Sequence, residues 1–294
     1  MSKGHVVVGV DVPETSGDAV KWAARTAQVH GVPLTMVHAV EGVAGLPTGV
    51  VGAEDTTTRD LLQATTEAET TLDHAVAAVR EEFPDLAVNP VEIVGDNVKS
   101  LLAHQEDALL VVGTGRRNSL SELILGSTSL GVAMHASSPV AVVPPGSSGQ
   151  EVRGVISVAV DGSADSAVAA RIACQEARVR GAKVVAINTW GLEVVDGFVV
   201  TESDQEQFAA IQQRQADLVE RTLAGARRDY PDVEIEVQVV HGRVIATLVD
   251  WAARSDLLVM GSRGLGGFSG KLLGSVSQRV LRQSTCPVMI AKSS

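Results

Sequence analysis

Residues 154–190 read "GVISVAVDGSADSAVAARIACQEARVRGAKVVAINTW", and this stretch decides the fold class. "GVISVAV" is a short, continuous run rich in β-branched residues. "SADSAVAARIACQEARVRG" has apolar residues at helical spacing and closes on Gly181, and "AKVVAINTW" returns to a strand pattern. Downstream, a long helix is expected from about Asp204 to Arg228, with Phe208, Ile211, Gln215, Leu218, Thr222 and Ala226 along one side. Then follow a strand "VEIEVQVV" (233–240), a short helix near "VIATLVDWAA" (244–253), a strand "DLLVM" (256–260), a glycine-rich loop, a helix from Ser275 and a last strand "PVMIA" (287–291). Apolar strands separated by helices imply an α/β fold with a mostly parallel sheet covered on both faces. Ligands in such folds bind beyond the carboxyl ends of the strands, where the strand order reverses.

The opening stretch occurs twice. "VVVGVDVPETSGDAVKWAARTAQVHGVPLTMVHAV" (6–40) aligns without a gap to "ISVAVDGSADSAVAARIACQEARVRGAKVVAINTW" (156–190), which places Asp11 on Asp161. Further on, "LLVVGTGRRNSLSELILGSTSLGVAMHASSPVAVV" (109–143) aligns to "LLVMGSRGLGGFSGKLLGSVSQRVLRQSTCPVMIA" (257–291), again without a gap. Gly113 falls on Gly261, Gly126 on Gly274 and Pro139 on Pro287. A period of about half the chain is far too long for a solenoid and means two copies of one domain. The Pro, Gly and Ser of "PPGSSGQ" (144–150) mark the connection, so domains are expected over 1–145 and 152–294, with a linker at 146–151.

Composition narrows the function classes. With 294 residues and 45% of them hydrophobic, each half can bury its own core. No apolar run reaches bilayer length and "MSKGHVVVGVD" is too short a pattern for a signal peptide, so a cytoplasmic protein without membrane contact is expected. A net charge of -11, with no basic block interleaved with aromatics, argues against nucleic-acid partners. Cys174 and Cys286 have neither disulfide nor metal-ligand spacing and read as small buried hydrophobes. The seven histidines form no H-E-x-x-H or paired metal pattern, and His38, aligned with Asn188, reads as packed or surface. No serine sits in G-x-S-x-G, and no nucleophile with its base stands out.

Chemistry concentrates in "GSRGLGGFSGKLLGS" (261–275), directly after an apolar strand. A P-loop is excluded, because Leu272 follows Gly270-Lys271 and Leu265 stands where the first glycine is required. The dinucleotide fingerprint G-x-G-x-x-G fails at Ser269 counted from Gly264, and at Asn118 counted from Gly113. What remains is G-x2-G-x9-G-S: Gly261, Gly264 and Gly274-Ser275. Gly261 lets the strand end turn with no side chain over a ligand, Gly264 exposes backbone N–H groups, and Gly274-Ser275 opens a helix whose free N–H groups attract an anion. A mobile loop with Ser275 as a helix N-cap is the competing reading.

These residues, with Asp11 and Asp161, "LLVVG" and "LLVMG", resemble the universal stress protein family, here two such domains in tandem covering nearly the whole chain. The resemblance implies two doubly wound, Rossmann-like domains, each a five-stranded parallel sheet. It also implies ATP across the strand ends, with Mg2+ on its phosphates, intramolecular pairing of the domains through their last strands, and association as a homodimer. By position, the nucleotide would be lined by Ala159, Asp161 and Thr189, and held by Met260, Gly261, Arg263 and Gly264, with Gly274, Ser275 and Val276 closing on the phosphates. Asp161 would equally suit a cap of the next helix in "DGSADS". Arg263 and Lys271 could complement phosphate charge or be solvated surface.

The first half matches at Gly9, Asp11, Ala39, Val112, Gly113, Gly126, Ser127 and Thr128, but Arg116 replaces the middle glycine and Gly115 falls one residue early. Arginine does not adopt positive φ as cheaply as glycine, so an altered cradle is expected there. Either Arg116 or Arg117 reaches a phosphate, or the site is weaker or empty. The expected function is an ATP-binding regulator in stress response. Two rivals are a scaffold that does not use the nucleotide and an enzyme that cleaves or transfers AMP from ATP, for which Lys271 is the one weak catalytic candidate.

Overall fold

The computed structural model describes residues 4–40, 70–115, 125–191, 194–195, 198–199, 205–265 and 273–293. Among these it divides into two compact units, the first ending at Ser148 and the second beginning at Gly149.

Unit 1 runs β1 (His5–Val10), α1 (Pro13–His30), β2 (Leu34–Val40), α2 (70–82), β3 (Val88–Val94), α3 (Asn97–Leu102), β4 (Ala108–Gly113), α4 (Ser127–His135) and β5 (Val140–Val143). Its strand order is β3-β2-β1-β4-β5, and every neighbouring pair is parallel. Unit 2 runs β6 (Val155–Ala159), α5 (Ala164–Arg180), β7 (Lys183–Trp190), β8 (Val194–Val195), β9 (Phe198–Val199), α6 (Gln205–Asp229), β10 (Ile235–His241), α7 (Val244–Ala252), β11 (Leu257–Gly261), α8 (Ser275–Gln283) and β12 (Val288–Ala291). Its order is β10-β7-β6-β11-β12, again all parallel. Only the two-residue pair β8–β9, antiparallel and apart from that sheet, has no counterpart in the sequence reading.

Each unit is a doubly wound, Rossmann-like α/β domain. Its first strand sits mid-sheet, and the chain winds outward on one side before returning to the other. That reversal leaves a crevice between the carboxyl ends of β1 and β4, and of β6 and β11. The central strands read as continuous apolar runs because both faces are covered: Val6, Val7, Val8, Leu109 and Leu110 are fully buried, as are Ile156, Val158, Leu258 and Val259. Each such side chain contributes about 1.5–3 kcal/mol of burial. In unit 2, α5 packs on β6 and β11 and against α6, while α7 packs against α8.

Helix ends repeat between the units. α1 and α5 both stop at a left-handed glycine, Gly31 (φ 64°) and Gly181 (φ 64°). The following N–H closes the last turn, from Val32 to the Ala27 carbonyl (3.0 Å) and from Ala182 to the Ala177 carbonyl (2.9 Å). The apolar stripe of α6 differs in its middle from the sequence reading. Ile211, Val219, Leu223 and Ala226 are buried, whereas Leu218 and Thr222 are only half-buried. Spacings of eight, four and three residues keep that row on one face of the helix. Among the described residues no helix is long and apolar enough to cross a membrane.

Candidate functional site

A cleft of ≈340 Å3 opens at the switch point of unit 2. Ala159 and Asp161 reach it from the end of β6, Thr189 from β7, and Met260 and Gly261 from β11. Arg263 and Gly264 border it from the loop after β11, and Gly274, Ser275 and Val276 from the start of α8. All ten positions named for this half from the sequence thus converge on one cavity. Ile187, Val244 and Leu248 add an apolar wall that the sequence reading missed. The two α7 residues stand four apart on one helix face, and that spacing was the available signal.

The glycines of the loop are explained by crowding rather than by left-handed backbone. Among the described glycines with positive φ, none is Gly261, Gly264 or Gly274, which corrects the positive-φ argument made for the middle position, where Arg116 aligns with Gly264. A Cβ on Gly264 would stand 2.5 Å from Asp161 Oδ2. One on Gly261 would meet Asp165 Cβ at 2.8 Å and the Arg263 carbonyl oxygen at 3.0 Å, and one on Gly274 would meet the Ser262 carbonyl oxygen at 3.2 Å. Each glycine is a point where two parts of the cradle touch backbone.

Ser275 is not the helix cap. Gly274 holds that position in extended conformation (φ -62°, ψ 152°), and, being glycine, supplies no side-chain cap to α8. Among the described residues the first-turn N–H groups therefore have no side-chain cap at the cleft, where the helix end carries partial positive charge. Thr189 Oγ1 is buried and without a hydrogen-bond partner.

Asp161 is not the cap of α5, one of the two roles between which the sequence left a choice. The cap of α5 is Ser163, whose Oγ accepts from Ser166 N at 3.1 Å. Asp161 stands behind it: Oδ1 accepts from Ser163 N (3.0 Å) and Ser163 Oγ (2.6 Å), and Oδ2 accepts from Leu265 N (3.2 Å). The carboxylate thereby ties the loop to the start of α5 while bordering the cleft.

Asp165, which the sequence reading did not single out, lies below the loop and is 5% exposed. Its Oδ2 accepts from Ser262 Oγ (2.7 Å) and Arg263 N (3.2 Å), and Oδ1 accepts from Ser293 N (2.9 Å) and Ser293 Oγ (2.5 Å). Burial pushes this carboxyl up, but the bonds from Ser293, Ser262 and Arg263 outweigh burial and hold it below the usual carboxylate range. Asp18 in unit 1 does the same for the chain after β5, accepting from Gly146 N (2.8 Å), Ser148 N (3.1 Å) and Ser148 Oγ. Its carboxyl too is raised by burial and lowered further by those bonds. A depressed folded pKa means stability present above the unfolded value of about 4 and lost as pH falls through the folded value. Thermal unfolding over a falling pH series is expected to show Asp165→Asn less stable than wild type at pH 7, with the gap narrowing as pH drops below the ordinary carboxylate range.

Unit 1 has a matching cleft of ≈290 Å3. Gly9, Asp11, Ala39, Val112, Gly113 and Gly115 border it from the strand ends, and Gly126, Ser127 and Thr128 from the start of α4. Arg116 lies outside the described residues, as do Arg117 and Lys271. The cap of α4 is Gly126 (φ -61°, ψ 159°), again with no side-chain cap. His38 also borders this cleft, half-buried, and its Nδ1 donates to the Val10 carbonyl at 2.8 Å, as Nδ2 of the aligned Asn188 donates to the Val160 carbonyl at 2.8 Å. The clefts differ beneath the loop. Thr114, aligned with Ser262, is 2% exposed and its Oγ1 has no partner, and the position of Asp165 is Thr15.

The universal stress protein family model matches this chain twice, over residues 3–144 and 153–292. A universal stress protein of Mycolicibacterium smegmatis is 34% identical across 98% of this chain and 96% of its own length. One from Mycobacterium tuberculosis strain H37Rv is 35% identical across 98% of this chain and 97% of its own. The crystal structure of a universal stress protein from Archaeoglobus fulgidus superposes with a TM-score of 0.68 at 19% identity, covering 99% of both chains, which is a likeness of fold.

Proposed function

The chain belongs to the universal stress protein family, and from that premise we propose that unit 2 binds ATP and that the protein is a nucleotide-dependent regulator in stress response. The observation that carries this reading is the convergence of Gly261, Gly264 and Gly274 on a helix N-terminus without a side-chain cap, at the switch point of the sheet. Phosphate oxygens would take the first-turn N–H groups of α8, where charge and donors coincide. The unpartnered Thr189 hydroxyl would meet a polar edge of the nucleotide, and Ile187, Val244 and Leu248 offer apolar surface to a base. Arg263 would add positive charge beside the phosphates. Mg2+ would travel on the phosphates: among the described residues no group of three or more His, Cys, Asp or Glu could hold it unaided. The ion would neutralise phosphate charge, while the chain's own residues bind and orient the nucleotide.

Denaturing the purified protein and quantifying released adenine nucleotide tests this directly. About one equivalent per chain is expected, from unit 2. About two would mean that Arg116 does not impair unit 1. None released, with no uptake of added ATP, would sink the proposal.

A further inference from the structure

We propose that Asp165 is the positioning residue that pre-sets the phosphate cradle of unit 2, bracing the loop against the chain end, and that its replacement by Thr15 leaves unit 1 with a looser cradle. The inference rests on the nucleotide reading of unit 2. Asp165 sits in the first turn of α5 and joins three separate pieces of backbone. Oδ2 holds Ser262 Oγ and Arg263 N, the first two residues after β11, and Oδ1 holds Ser293 N and Oγ, two residues past β12. Ser262 in turn receives Gly274 N on its carbonyl at 2.8 Å, so one carboxylate fixes both the loop and, through Ser262, the cap of α8. Gly261 closes the arrangement, because its bare Cα lies where a Cβ would be 2.8 Å from Asp165 Cβ.

Unit 1 keeps the backbone part and lacks the brace. Thr114 N donates to the Val143 carbonyl at 3.1 Å, as Ser262 N donates to the Ala291 carbonyl at 2.7 Å. The buried Thr114 hydroxyl nevertheless finds no acceptor, and Pro145, aligned with Ser293, has no N–H to offer. Asp18, about one turn further along α1, instead fastens the segment Gly146–Ser148, and its hydrogen bonds among the described residues do not reach Thr114 or Gly115. In unit 2 Ser262, Arg263 and the cap of α8 are therefore held before a phosphate arrives. At Thr114 of unit 1 no such carboxylate is available, and fixing that segment falls to the ligand, which weakens binding.

The test is photolabelling of the full chain with 8-azido-ATP, with labelled peptides assigned to residues before or after Ser148. Saturation is read on unit 2 in wild type, Asp165→Thr and Asp165→Asn, with ATP and adenosine as competitors. Asp165→Thr, which removes all four bonds, is expected to weaken ATP about tenfold and adenosine hardly at all, since the brace acts on the phosphate end. Asp165→Asn, which keeps one carbonyl oxygen, is expected to fall between. Equal loss for ATP and adenosine would reduce Asp165 to a structural residue, and unchanged ATP binding in folded Asp165→Thr would overturn the inference while the nucleotide reading stands. Wild-type protein that takes no label on unit 2 removes both. If Asp165→Thr does not fold, Ser262→Ala/Ser293→Ala takes its place, with the same outcomes.

Discussion

Gly264→Glu is expected to abolish ATP binding in unit 2, with at least about a hundredfold loss of affinity, or roughly 2.8 kcal/mol. Two effects act together. Any Cβ at this position would lie 2.5 Å from Asp161 Oδ2, so the bond from Leu265 N to that oxygen must break or the loop must move away from the strand ends. The introduced carboxylate would then stand beside Asp161 at a place proposed for phosphate, where like charges repel in a partly desolvated cleft. Gly264→Ala separates the terms: it carries the steric part without the charge and is expected to fall between wild type and Gly264→Glu. Isothermal titration with ATP reads both. Unchanged affinity of folded Gly264→Glu would refute the role given to this loop.

The largest expected effect on stability comes from Gly261→Ala. Its Cβ would meet Asp165 Cβ at 2.8 Å, the Arg263 carbonyl oxygen at 3.0 Å and the Asp165 carbonyl carbon at 3.3 Å. Two of these are backbone atoms that cannot swing aside, and the third belongs to a side chain held by four hydrogen bonds. Overpacking of this kind costs about 1–3 kcal/mol, which for a domain of this size lowers the unfolding temperature by about 3–8 °C. Gly126→Ala is the control. It sits at the cap of α4, where an added Cβ would find, among the described residues, only Ser129 Oγ within 4 Å, at 3.9 Å, and is expected to change stability by less than about 0.5 kcal/mol. Equal melting temperatures for the two variants would show that β11 relaxes away from α5 more easily than the packing implies.

Two features let the halves be recognised as copies. Strand runs such as "LLVVG" and "LLVMG" are apolar throughout because both faces of a central parallel strand are buried, so their composition alone reports their place in the sheet. The outer glycines survive in both halves, Gly113 and Gly126 at the spacing of Gly261 and Gly274, while Arg116 breaks the middle position; in the second half each glycine stands where a Cβ would collide with a neighbour. The reason for those glycines was less legible. Positive φ and close approach predict the same residue, and only the distances to Asp161, Asp165 and Ser262 separate them. Likewise "GS" at a helix start suits either residue as the cap, and the backbone assigns it to Gly274.

What the sequence by itself determined is everything that depends on local pattern and on comparing the chain with itself: two α/β copies and the order of their main strands and helices. The ten positions that border one cleft follow from the family resemblance that those motifs carry. Only the tertiary structure could bring Asp165 into the site. Its partners Ser262 and Ser293 are far along the chain, in pieces that meet only after β11 and β12 have paired beside β6. An aspartate in the first turn of a helix has an ordinary local explanation in the helix dipole. Nothing short of the folded sheet distinguishes that role from a buried carboxylate holding Ser262, Arg263 and Ser293 beside the cleft.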